Sequence, residues 1–101
     1  MLRLPILLGS ALALLSGGAF AHYPTLDCKQ IDQSIQCVAA YSDGSVAFNE
    51  TVQALTYEDE LITSLTTDDS GMIRLPTPSG EYYLLFDPGH EDPAEFDYAE
   101  F

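Results

Sequence analysis

A small antiparallel β-sandwich of six or seven strands, preceded by a cleaved signal peptide, is the fold class this sequence predicts. Three observations predict it. The first 21 residues have the layout of an export signal, the rest consists of short alternating apolar and polar runs separated by turn residues, and no stretch sustains an apolar period of 3.6 residues.

In the export signal, Arg3 supplies the positive charge, residues 4–15 form an apolar run, and residues 16–21 are small and end in Ala19-Phe20-Ala21. A run of twelve residues is short for a membrane span, which needs about 20. Cleavage after Ala21 makes His22 the first residue of the mature protein. No later stretch is apolar enough to cross a bilayer, so a periplasmic or secreted protein without a membrane span is expected. Residues 22–101 suffice for one small domain.

A core of that size is marginal, and covalent stapling is expected. Cys28 and Cys37 are the only cysteines, and an exported chain enters an oxidising compartment, which predicts a disulfide. Closing a loop of about ten residues contributes about 2.7 kcal/mol on chain entropy. A two-thiolate metal site is the alternative reading.

Along the mature chain, Pro24 biases Tyr23 toward extended geometry. Residues 34–41 place Ile35, Cys37, Ala39 and Tyr41 on one face, a strand with one buried side, and residues 28–33 form its hairpin partner. Residues 42–45 are a turn by composition. Residues 50–57 form a strand with Val52 and Ala54 opposite Gln53, Leu55 and Tyr57, and an acidic tip, Glu58-Asp59-Glu60, leads to its partner at 61–67. Another turn over 67–71 precedes a short run at 72–75, and residues 81–86, apolar on both faces, read as a central strand. Residues 91–101 are acidic and aromatic, a closing strand bearing Phe96 and Tyr98 or a frayed tail. The sandwich domain is thus drawn over 22–90.

Sixteen Asp and Glu against three Lys and Arg give a net charge of −13, and removal of Arg3 takes it to −14. Such a surface repels nucleic acid and anionic membranes and attracts cations, whether metal ions or a basic partner.

Tyr41-Ser42-Asp43-Gly44-Ser45, the run from Thr66 to Ile73, Gly80-Glu81-Tyr82-Tyr83 and Asp87-Pro88-Gly89-His90, in a chain whose mature form opens on histidine, follow one another in a familiar order. In this order the chain resembles the periplasmic nickel and cobalt uptake accessory proteins, whose core is a carboxypeptidase-regulatory-like, transthyretin-type sandwich. The resemblance implies a metal-handling sandwich whose partners are a divalent ion and a metal transporter or acceptor protein. The Cys28 and Cys37 pair departs from that family's core pattern.

The residues themselves point the same way. The α-amine and ring of an N-terminal His22 can chelate one ion, and the second histidine, His90, completes a three-nitrogen set. Planar nitrogen ligands suit Cu(II), which stands highest in the divalent affinity order, and Ni(II) follows. Asp87, Glu91 and Asp92 surround His90 in sequence and are candidates to orient its ring, while Tyr23 or Tyr98 are candidates for an axial position. No enzymatic role is expected, because no histidine remains as a general base and neither G-x-S-x-G nor H-E-x-x-H occurs. The alternative function is a metal-free β-sandwich interaction module that binds a partner through its acidic surface or an exposed edge.

Overall fold

The computed structural model describes residues 22–89 and 91–101. The signal peptide expected at 1–21 and the histidine at position 90 lie outside the described residues. The strands are β1 (Pro24–Ile31), β2 (Ser34–Tyr41), β3 (Thr51–Thr56), β4 (Leu61–Thr66), β5 (Met72–Pro76), β6 (Tyr82–Phe86) and β7 (Ala94–Asp97), followed by a 3-10 turn, Tyr98–Glu100. They form two antiparallel sheets, one in the order β1-β2-β5 and one in the order β4-β3-β6-β7. The predicted β-sandwich is therefore the observed fold.

The period-two alternation explains why the sheets stack. Leu26, Ile35, Cys37, Ala39, Ile73 and Leu75 face inward from the three-stranded sheet and meet Val52, Ala54, Tyr82, Leu84 and Phe86 from the other. Ile35, Val52, Leu84 and Phe86 are fully buried, and each such side chain contributes about 1.5–3 kcal/mol. The β1–β2 hairpin closes at Asp32, whose φ of 55° is one that aspartate tolerates. Its register sets Cys28 opposite Cys37, and the disulfide between them is formed.

Two details depart from the simple alternation. Leu55, placed with Gln53 and Tyr57 opposite Val52 and Ala54, is buried, with Leu61 and Tyr83 as its cross-strand register partners. A register shift against β4 also falls at Ala54/Leu55, which marks a bulge. The C-terminal segment resolves as a strand: β7 pairs with β6, and Ala94, Phe96 and Tyr98 pack against the core. Asp97 then caps the 3-10 turn by accepting from the Ala99 N–H at 3.0 Å, while Glu100 accepts from the Asp97 N–H at 2.8 Å.

Candidate functional site

The start of β1, the end of β2 and the end of β6 meet at one pole of the sandwich. Pro24 is the register partner of Tyr41, and the Tyr41 ring packs on Phe86, the last residue of β6, with centroids 5.8 Å apart. The chain leaves β2 through a tight turn in which the Gly44 N–H donates to the Tyr41 carbonyl at 2.8 Å. The residues before β1 are held against this turn by two bonds: the Tyr23 N–H donates to Ser42 Oγ at 3.0 Å, and the Ser42 N–H donates to the Tyr23 carbonyl at 2.8 Å. His22 is thereby fixed beside residues 42–45.

A hollow of about 280 Å³ opens at this pole, lined by His22, Pro24, Tyr41, Ser45, Pro88 and Glu91. His22 keeps more than half of its side chain exposed, and its Nδ1 lies 3.7 Å from Asp43 Oδ2. The other oxygen of that carboxylate accepts from the Ser45 N–H at 3.0 Å and from the Ser45 hydroxyl at 2.7 Å. The bond from the Ser45 N–H, followed by the bond from its hydroxyl, holds the Asp43 carboxyl below its ordinary range, so the charge beside His22 persists into mild acid. Burial, with the nearby Glu50 carboxylate, pushes the hydroxyl of Tyr41, which lines the hollow, above its ordinary range.

Of the residues expected to serve the site, Glu91 lines the hollow with His22. Asp87 is turned to its own loop, where Oδ1 accepts from the Gly89 N–H at 3.1 Å. Asp92 is exposed, as is Tyr23, whose backbone makes the anchoring bonds. Tyr98 lies in a separate aromatic group with Tyr57 and Tyr82, centroids 5.9 and 5.6 Å away, and its hydroxyl donates to Glu81 at 3.4 Å. Cys28 and Cys37 are consumed by their disulfide. Among the described residues no three His, Cys, Asp or Glu side chains cluster closely enough to hold a metal ion.

Asp43 is the residue that sequence reasoning missed. It reads as an ordinary turn former, and only the pairing of residue 23 with residue 42 carries it to the histidine.

No protein-family model matches the chain, and neither a curated protein nor a solved structure matches it. The likeness to the nickel and cobalt uptake accessory proteins thus rests on the sequence motifs alone.

Proposed function

We propose that this is an exported metal-binding protein that captures or delivers a divalent transition metal, Cu(II) or Ni(II), through His22 and His90. The observation that carries the reading is the hollow that His22 shares with Pro88 and Glu91, residues that bracket position 90 in the sequence. After cleavage at Ala21 the α-amine and ring of His22 would hold one ion, and the imidazole of His90 would supply the third nitrogen. Asp43, beside Nδ1, offers a negative charge next to the cation. The surrounding acidity draws cations in, and it favours a metal transporter or acceptor with a basic face as the partner.

The ion when bound would be exchanged rather than used for turnover; this chain's residues would hold it and release protons on loading, because amine and imidazole ligands bind deprotonated. Titration of the purified mature protein with Cu(II) and with Ni(II), repeated on His22→Ala, His90→Ala and an N-terminally acetylated form, tests the reading. Each change is expected to weaken binding at least tenfold. Unchanged affinity in both histidine variants overturns it, as does a mature chain that begins elsewhere than at His22.

A further inference from the structure

The two sheets differ in width, and one edge strand of the wider sheet is left poorly covered. Three strands face four, and β4, at the edge of the wider sheet, is the least covered: Leu61 and Ile62 are 56% and 41% exposed, while Thr63 and Leu65 are only half-buried. Among the described residues β4 pairs with β3 alone, so about three of its residues present N–H and C=O groups outward with no partner.

Among the described residues the sandwich has four such edges, and the other three carry devices that discourage pairing. β1 begins at Pro24 and bears Asp27 and Lys29; β5 bears Arg74 and ends at Pro76; β7 is four residues long and bears Glu95 and Asp97. β4 reads Leu-Ile-Thr-Ser-Leu-Thr, with neither charge nor proline, in a chain of net charge −13. A bulge bends its start, but Thr63 to Thr66 run in regular register with Ala54 to Thr51. Beside it, between β4 and β5, runs a groove of about 320 Å³ lined by Ile62, Thr63 and Leu65 of β4, by Arg74 and Leu75 of β5, and by residues 76–78.

Charge decides what this edge accepts. The exposed acids Glu58, Asp59 and Glu60 precede β4, and Asp68 and Asp69 follow it closely. Two copies paired antiparallel about the middle of β4 bring Glu58 and Asp59 of one against Asp69 and Asp68 of the other, acid against acid, which repels. A strand with cations at its ends meets the same acids with attraction. We infer that the outer edge of β4 docks an extended segment of a partner protein, apolar or β-branched in its middle and lysine- or arginine-rich at both ends, which adds a strand to the four-stranded sheet. Its backbone bonds to β4, and its inward side chains lie over the groove. The site uses neither His22 nor position 90, so it stands apart from the metal reading.

The probe is a fluorescein-labelled synthetic peptide, KKVTITVKK, titrated against the purified protein at low salt. Saturable anisotropy is expected, lost in at least one of the two alternate N-methylation patterns of the peptide and weakened about tenfold by the combined Glu58→Gln, Glu60→Gln and Asp69→Asn variant. These three side chains are exposed and the described structure gives them no structural bond, so the variant keeps its fold, which circular dichroism checks; His22→Ala binds the peptide as the parent does. No saturation up to about 1 mM peptide overturns the inference. Equal binding of a glutamate-flanked peptide overturns it, as does indifference to both N-methylation patterns. Concentration-dependent dimerisation in sedimentation that β4 variants abolish overturns it in favour of a second copy.

Discussion

The Tyr83 hydroxyl donates to Asp59 Oδ1 at 2.6 Å, tying β6 to the β3–β4 connection across the outer face of the wider sheet. Tyr57 makes the equivalent bond to Asp97, also at 2.6 Å, between that connection and β7. Sixteen acids face only three Lys and Arg in this chain, and neutral tyrosine hydroxyls take the place of cations as carboxylate partners.

That arrangement makes the fold sensitive to alkali. The bond to Asp59, with lesser help from desolvation, pushes the Tyr83 hydroxyl up to about 12. In the unfolded chain a tyrosine titrates near 10. The native state therefore keeps a proton that the unfolded state gives up, and the contribution is full below about pH 10 and is lost as the pH rises toward about 12. Denaturation midpoints measured across this range are expected to fall with pH. In Tyr83→Phe that fall is expected to be shallower, and the ultraviolet absorbance titration loses a late-ionising tyrosine.

The bridge between Cys28 and Cys37 joins direct register partners whose Cα atoms are 4.0 Å apart. Replacing both by alanine is expected to cost about 2.7 kcal/mol through the freed unfolded chain. A further loss arises because Cys37 is fully buried and its truncation leaves a void. Urea unfolding of the double variant beside the reduced parent protein separates the two contributions. A midpoint equal to that of the oxidised parent would refute the expectation.

Gly71 stands at φ 77°, and a side chain there would collide with the Ala39 carbonyl and press on Val46. Its own carbonyl accepts from the Ala39 N–H at 2.7 Å, so the position joins the turn before β5 to the end of β2. Gly71→Ala is expected to destabilise by about 2–3 kcal/mol, read as a lowered melting temperature. Gly44→Ala, at a comparable φ of 94° but in open space, is expected to lose less. Equal losses at the two glycines would show that the backbone angle, and not the contact, governs both.

Asp43 offers a sharper probe of the metal reading. Asn in its place still accepts from Ser45, which preserves the turn, but removes the charge beside His22 Nδ1. Cu(II) affinity of Asp43→Asn is expected to fall about tenfold with an unchanged melting temperature. An unaltered affinity would separate Asp43 from any metal role.

Much of the fold was legible because its signals are local. The boundaries of β2 coincide with the alternation from Ser34 to Tyr41, since one buried face imposes a period of two, and the apolar run at 81–86 became β6, flanked on both sides in its sheet. The burial of Leu55 was not legible, because its cross-strand neighbours are set by register, which alternation within one strand does not contain. Asp43 was invisible for a similar reason: its meaning lies in a contact with residue 22, twenty-one positions away.

The sequence by itself determined the β-sandwich class, the spacing of the strands and the Cys28–Cys37 staple, because alternation, turn chemistry and oxidation all act over a few residues. Only the tertiary structure decided that His22, Pro88 and Glu91 share one hollow and that β4 is an edge strand of the wider sheet. Both depend on which strands lie beside and across from one another, a choice made by burial of the whole core rather than by any single segment.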